Sequence, residues 1–388
     1  MSGERYALVA GGGTAGHLQP ALAIAEALVD AGHPRDSIEF VGSSRGQDRA
    51  TLAGRGFPVT LLPGRGIVRS LSPRHLAANL GAVAGLSVAA VRGIGVVLRS
   101  RPRVVVSVGG YASLPASLAA VVLGVPLVLV NVDAVPGAAN RILGRFARAS
   151  AVGWEGTPLP RAVVTGTPVR ADIAGAGDAL HDPVAGRRVL GLPPDRATVV
   201  AFGGSLGARH LNQVVADLAV RWKDRDDRTI YHIVGRRDWD GFAAPGDGQG
   251  PPAPSEDGLC LVRVPYEDRM AAAYAAADVT VCRAGAMTVA ELTVAGVPSV
   301  LVPLPGAPGD HQTANAQVLE RAGAAVVVAD DRLDPDGLGT LLDHLLGDPG
   351  RLGAMGTAAS SLARTDAAAA GARLVEARAR AGTRRGHR

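Results

Sequence analysis

The residues best suited to chemistry sit at glycine-rich turns. Gly11-Gly12-Gly13-Thr14-Ala15-Gly16 satisfies the pattern G-x-G-x-x-G, and His17 follows at once. An imidazole beside such a turn can act as a general base near neutral pH. The plainer reading is a hydrogen-bonded histidine at a helix start; the turn in front of it favours the functional one. A dinucleotide site would also need an acid at the end of the second strand, to hold a ribose. That strand ends Phe40-Val41-Gly42-Ser43, and Glu39 lies inside it, which weakens the coenzyme reading.

Three further polar helix starts occur in the second half. Gly203, Gly204 and Gly207 permit a tight turn in GGSLGARHLNQ, where Ser205 and neighbouring amides can hold a phosphate at a helix N-terminus. The alternative is a turn that needs glycine only for close packing. In CRAGAMTVAEL, Glu291 lies about one and a half turns into a helix, where a carboxylate can accept two ribose hydroxyls or simply face solvent. In GDHQTANA, Gln312 offers both a donor and an acceptor to sugar hydroxyls, unless the segment is only a helix start capped by Asp310. Together these suit a nucleotide-sugar better than a coenzyme.

The elements that must position these groups follow one grammar, strand, glycine-rich turn, alanine-rich helix. The spacing predicts strands at 6–10, 38–42, 104–110, 126–130 and 162–166, with helices at 18–32 and 113–124. It restarts with a strand, turn and helix over 198–218. Strands at 229–235, 259–265, 279–285 and 299–305 and helices at 270–277, 286–296 and 311–323 complete it. The chain has 388 residues, enough for two domains, divided at 1–168 and 169–388. The helix expected from about Leu362 is free to pack back on the first domain. The expected fold is α/β, two Rossmann-like doubly wound domains facing across a cleft, the GT-B arrangement, which some other two-domain α/β proteins share, so that the fold does not fix the function.

Composition narrows the partners. The net charge is +5, and Lys223 is the only lysine, so the positive charge is arginine. That points to an anionic partner such as a phosphate or a lipid surface. Aromatic residues make up 3% of the chain, too few for base stacking, and no nucleic-acid module is evident. Cys260 and Cys282 give no disulfide framework or zinc spacing, which suits a reducing cytosol. The first strand begins too early to leave room for a signal peptide. The apolar stretch Leu80–Leu98 is broken by Arg92 and several glycines and does not read as a membrane span.

The motifs GGGTAGHLQPALAIAEAL, VGGYASLPASLAA, TGTPVR, GGSLGARHLNQ, CRAGAMTVAELTVAGVPSVLVPLP and DHQTANAQVLERAGAA follow one another as they do in a known family. The sequence resembles the MurG family of bacterial peptidoglycan N-acetylglucosaminyltransferases over most of its length. The resemblance implies a GT-B fold whose second domain holds UDP-N-acetylglucosamine. Ser205 would contact the diphosphate with Arg170 nearby. Glu291 would bind the ribose, and the Tyr266–Met270 segment, with Glu267, would frame the uracil through its backbone. Ala286 and Gln312 would read the sugar. Thr14, Ala15, Gly16 and His17 would face the acceptor, undecaprenyl-linked muramyl pentapeptide, with Gly110 and Tyr111 opposite. Inverting transfer to the muramyl 4-hydroxyl would follow, with neither a metal nor a cofactor called for. The segment 65–103, rich in arginine and aliphatic residues, would lie on an anionic membrane, making the protein peripheral at the cytoplasmic face.

The sequence departs from the family's His-Glu-x-Asn motif. An ungapped alignment places Val130, Asn131 and Asp133 at its His, Glu and Asn, and Leu206 stands where the family usually has Gln. Asp133 is therefore a second candidate base beside His17. The alternatives are a glycosyltransferase with another acceptor, a non-catalytic nucleotide-sugar-binding homologue, and a nicotinamide or flavin oxidoreductase.

Overall fold

The computed structural model describes residues 4–12, 15–44, 52–63, 88–204, 208–243, 247 and 258–383. Contacts divide the chain into two units, Met1–Val169 with Thr365–Arg388, and Arg170–Arg364. The boundary falls one residue beyond the expected one.

The first unit is built on β1 (Ala7–Ala10), β2 (Ile38–Ser43), β3 (Val59–Leu62), β4 (Val104–Ser107), β5 (Leu127–Asn131), β6 (Ala149–Val152) and β7 (Ala162–Val164). They form one parallel sheet in the order β3-β2-β1-β4-β5-β6-β7. The inner strands are continuous runs of Val, Ala and Leu because helices cover both faces. On one face Val96 and Val97 of the helix at 88–100 and Ala116, Ala119 and Ala120 of the helix Leu114–Val122 meet Leu8, Val105 and Leu129. On the other, Ala15–Asp30 packs with the last helix, Ala367–Thr383, which also lies against β4 to β6. Glu376 Oε1 is 3.1 Å from His33 Nε2, and the His33 ring stacks on Tyr6 at 3.6 Å. The helix expected from about 362 begins instead at Ala367, because Pro349–Ser361 is a separate helix and the Asp366 carbonyl accepts the Ala370 amide at 2.8 Å.

The second unit repeats the plan with β8 (Ala197–Phe202), β9 (Arg228–Ile233), β10 (Cys260–Val264), β11 (Val279–Cys282), β12 (Ser299–Leu301) and β13 (Ala325–Val327). The sheet is parallel, in the order β10-β9-β8-β11-β12-β13. Val199, Ala201, Val281 and Val300 pack against Leu211, Val215 and Leu218 of the helix Arg209–Arg221. Chain order reverses between β1 and β4 and again between β8 and β11. At such reversals the following helices leave on opposite faces and a crevice opens at the strands' carboxyl ends.

Glu39 shows why the coenzyme reading fails. It is the second residue of β2, opposite Leu8, so it lies toward the amino end of the sheet, away from the glycine turn. Its buried carboxylate accepts from Thr60 Oγ1 at 2.7 Å, Ser100 Oγ at 3.2 Å and Arg99 Nη2 at 3.2 Å, with Arg5 Nε at 3.4 Å. Removing Glu39 takes one acceptor from all four partners, although Ser100 Oγ still donates to the Val96 carbonyl at 2.7 Å. Glu39→Ala is expected to lower stability by about 2 kcal/mol in urea unfolding, since two of its partners are partly solvated. UDP binding by the folded variant is expected to be unchanged.

Candidate functional site

In the first unit the crevice lies between the turns after β1 and β4. His17 is the third residue of the helix Ala15–Asp30 and is partly buried. Its ring lies over Gly109 and Gly110, whose φ angles are +92° and +73°. A Cβ on Gly109 would meet His17 Cδ2 at 3.3 Å, and one on Gly110 would meet Cγ and Cε1 at 3.6 Å. Glycine is required there twice, for its left-handed backbone and for the room it leaves the imidazole. Tyr111 follows and donates its hydroxyl to Ser43 Oγ at 3.1 Å. Gly16 is partly buried beside His17 in the same first turn. Ala15 opens that helix, and Thr14 lies outside the described residues.

The stretch 130–133 is joined to this crevice by amides. Asn140 Nδ2 donates to Asn131 Oδ1 at 3.0 Å and to the Val130 carbonyl at 3.3 Å, and Asn131 Nδ2 donates to the Asp133 carbonyl at 2.6 Å. Asn140 also flanks Gly109, with Oδ1 3.5 Å from the point where a Cβ would stand. Asp133 is partly buried at the end of this network.

The second unit gathers its candidates at the ends of β8 and β11. Gly204 has φ +86°, and the turn leads into Arg209–Arg221; Ser205 lies outside the described residues. Behind this helix start, His232 Nε2 lies 3.0 Å from Asn212 Oδ1. Asn212 Nδ2 donates to the Val234 carbonyl at 2.9 Å and to Asp238 Oδ2 at 3.3 Å. Burial, with Arg263 nearby, pushes the His232 pKa down to about 3, so the ring is neutral. Gly285, extended at φ −65° and ψ 146°, starts the helix Ala286–Ala295, whose first residue is Ala286.

Glu291, expected either to bind ribose or to face solvent, is 7% exposed and not a surface residue. Tyr274 Oη donates to Glu291 Oε2 at 2.9 Å, and Arg170 Nε lies 3.3 Å from Oε1 and 3.8 Å from Asp172. Burial pushes the Glu291 carboxyl above its usual range, while Arg170 and the Tyr274 hydroxyl oppose the shift. Burial works against the charge on Arg170, but Glu291 and Asp172 outweigh it and hold the guanidinium protonated. The structure thus brings Arg170 and Glu291 together, with Tyr274 as a partner that sequence reasoning missed. Its signal is a lone hydroxyl in the alanine run MAAAYAAA, which otherwise reads as core.

Glu267 turns inward. It accepts from the Arg269 amide at 2.7 Å, from Arg269 Nε at 3.0 Å and from the Tyr231 hydroxyl. Burial works to raise its pKa, but these hydrogen bonds outweigh it and keep the carboxyl below its usual range. Glu267 therefore shapes the Tyr266–Met270 segment with its side chain. Tyr266 stays exposed under the Arg236 guanidinium, 4.4 Å above its ring. Gln312 accepts the Leu304 amide at 2.9 Å through Oε1, so that oxygen is already engaged and the donor capacity of the side chain rests on Nε2. Asp310 makes no cap to the backbone and accepts from Thr313 Oγ1 at 2.7 Å.

Two doubly wound parallel sheets, each with polar groups collected at its point of strand reversal, define a glycosyltransferase of the GT-B class. Residues 7–152 match the glycosyltransferase family 28 N-terminal domain, and residues 198–370 match its C-terminal domain. A UDP-N-acetylglucosamine--N-acetylmuramyl-(pentapeptide) pyrophosphoryl-undecaprenol N-acetylglucosamine transferase from Desulforudis audaxviator is 37% identical over 97% of this chain and 99% of its own. Its namesake from Nocardioides sp. is 40% identical over 95% and 96%. The crystal structure of Acinetobacter baumannii MurG superposes with a TM-score of 0.73 at 28% identity, covering 96% of this chain and 99% of that one. The chain belongs to glycosyltransferase family 28 and, within it, to the MurG family of N-acetylglucosaminyltransferases. It is a UDP-sugar-dependent enzyme.

The raised Glu291 carboxyl has a consequence for stability. Below its ordinary value of 4.5 the group is protonated whether the chain is folded or not. Above that, the unfolded chain gives up the proton more readily than the folded one, so the folded protein loses stability as pH rises. Glu291→Gln removes this dependence. Its stability relative to wild type in urea unfolding is expected to increase between about pH 4.5 and 7. A constant difference across that range would mean that Arg170 fully compensates the buried charge.

Proposed function

We propose that the chain transfers N-acetylglucosamine from UDP-N-acetylglucosamine to the muramyl 4-hydroxyl of undecaprenyl-diphospho-muramyl pentapeptide, forming a β-1,4 link with inversion. The observation that carries this reading is the cluster of Arg170, Tyr274 and Glu291, the last one and a half turns into the helix Ala286–Ala295, in a chain that matches the family in both halves. The donor would lie on the second unit. Its diphosphate would meet the turn that contains Ser205, with Arg170 alongside, and its ribose hydroxyls would meet Glu291. The uracil would face the backbone of Tyr266 and Glu267, and the sugar would face Ala286 and Gln312.

The first unit would hold the acceptor, between the turn carrying Thr14, Ala15, Gly16 and His17 and the turn carrying Gly110 and Tyr111. His17 takes the proton of the 4-hydroxyl as its oxygen attacks the anomeric carbon. The bond from that carbon to the diphosphate breaks, and UDP leaves with the electron pair, stabilised by helix N-terminal amides and Arg170. Asp133 is the rival base, carried by the loop that departs from the family. A radiolabelled donor assay with the muramyl lipid is expected to show His17→Ala slowed about 10²- to 10⁴-fold in kcat, the usual worth of a general base. Asp133→Ala is expected to slow far less. The reverse order would move the role to Asp133, and full activity in both variants would remove both. If wild type binds UDP-N-acetylglucosamine without turning over the muramyl lipid, the alternatives of another acceptor or a non-catalytic role gain.

Peripheral attachment to an anionic membrane, at the cytoplasmic face, is the second part of the proposal. Of the segment 65–103, residues 65–87 lie outside the described residues; within the helix at 88–100, Val88, Val91 and Leu98 are exposed near Arg92 and Arg99. Val122, Ile142 and Phe146 are also exposed in this unit, with Arg145, Arg148 and Arg161 on its surface. Apolar side chains interspersed with arginine suit an interfacial contact. Among the described residues no helix is long and apolar enough to cross a membrane. Wild type is expected to pellet with anionic liposomes at low salt, and Ile142→Glu with Phe146→Glu to reduce pelleting several-fold. Equal recovery of both proteins in the supernatant would exclude this surface.

A further inference from the structure

A second charged cluster lies at the strand reversal of the second unit, and the reaction as described makes no use of it. Arg283 follows β11 directly and leads through Ala284 and Gly285 into the helix that carries Glu291. Its guanidinium is nearly buried, and Nη1 donates to the Val302 and Pro303 carbonyls at 3.2 and 3.1 Å. The same nitrogen lies 2.6 Å from Asp330 Oδ1, a close ion pair whose angle is not that of a hydrogen bond. The other carboxylate oxygen, Oδ2, is 3.2 Å from His210 Nδ1. His210 is the second residue of Arg209–Arg221, the helix entered from the glycine turn after β8.

One carboxylate thus touches the start of the helix that follows the turn after β8 and the turn after β11, although Asp330 itself comes from the turn after β13, at the sheet's edge. We propose that Asp330 is a positioning residue for the donor site, fixing the spacing of the turns after β8 and β11 by binding His210 and Arg283 together. The inference rests on the reading that the donor diphosphate lies on the first of these turns and its ribose at Glu291. A nucleoside diphosphate has a set distance between ribose and phosphates, so two turns that grip its ends must keep a set distance too. A buried arginine supplies a permanent, rigid anchor at one turn, and the carboxylate carries that anchor across to the other. Because donor and transition state both use this spacing, its loss weakens binding of the two alike, which raises KM and leaves kcat unchanged.

The test is calorimetric titration with UDP together with steady-state kinetics on wild type, Asp330→Asn, His210→Ala and the double variant. Asp330→Asn is expected to weaken UDP binding about tenfold and to raise KM for the sugar donor by a similar factor, with kcat within about twofold of wild type. His210→Ala, which removes one exposed partner, is expected to weaken UDP about threefold. The double variant is expected to be no weaker than Asp330→Asn alone, because both changes break one connection. Unchanged UDP affinity in Asp330→Asn, a loss of kcat without a change in KM, or fully additive losses would overturn the proposal. Should Asp330→Asn fail to fold, His210→Ala decides alone, weaker UDP binding supporting the proposal and wild-type affinity overturning it. Wild type that binds no UDP would overturn the donor-site reading and this inference with it; normal UDP affinity in every variant would overturn this inference only.

Discussion

Parallel strands whose following helices leave on opposite faces of the sheet leave a gap at their carboxyl ends that the sheet's own side chains do not fill. The candidate chemistry of this chain is arranged around two such gaps. At one, the turn after β4 runs through two glycines in left-handed conformation so that the His17 ring can lie over them. At the other, the turn after β8 enters a helix whose Asn212, in its first turn, is tied from behind to His232 and the Val234 carbonyl. The helix after β11 brings Glu291 to Arg170 and Tyr274. Backbone geometry makes the space, and polar side chains from neighbouring loops decide what it can hold.

Burial is the second recurring theme. Glu39, Glu267 and Glu291 are all buried carboxylates, and each is met by an arginine and at least one hydroxyl. Arginine suits this because its forked donors stay charged when water is excluded. Glu267 and Glu291 shift in opposite directions. Glu267 has its lone pairs filled by Arg269 and Tyr231, and its carboxyl falls below the usual range. Glu291 faces fewer donors, and burial leaves its carboxyl above that range. A buried carboxylate with unused acceptor capacity is suited to take hydroxyls from a ligand, whereas one already saturated is suited to hold its own loop in shape.

Much of the framework was legible because buried parallel strands are written as uninterrupted aliphatic runs. β1, β4, β5, β8 and β11 follow from such runs, all but β5 with a glycine close behind. β3, β6 and β13 were missed. VTLL is partly exposed, ASAV is built from small residues and AVV spans only three positions, so none has the length or contrast that a periodicity needs. The helix Pro349–Ser361 was missed because GRLGAMG reads as a loop, whereas Asp348 caps its first turn through the Arg351 amide at 2.9 Å. The glycine turns, His17, Glu291 and the departure at 130–133 were visible as residue types in order.

The order of motifs along the chain determined the family, the two-sheet plan and the candidate residues, because each motif is a local strand–turn–helix unit whose geometry its own residues specify. Tertiary structure alone decided which of those residues meet. Glu291 and Arg170 are far apart in sequence, as are Asp330 and His210, and no local signal pairs them. It also decided the state of each charged group, since Glu267 and Glu291 are the same residue type. Their opposite pKa shifts arise from the donors that folding brings to each from distant parts of the chain.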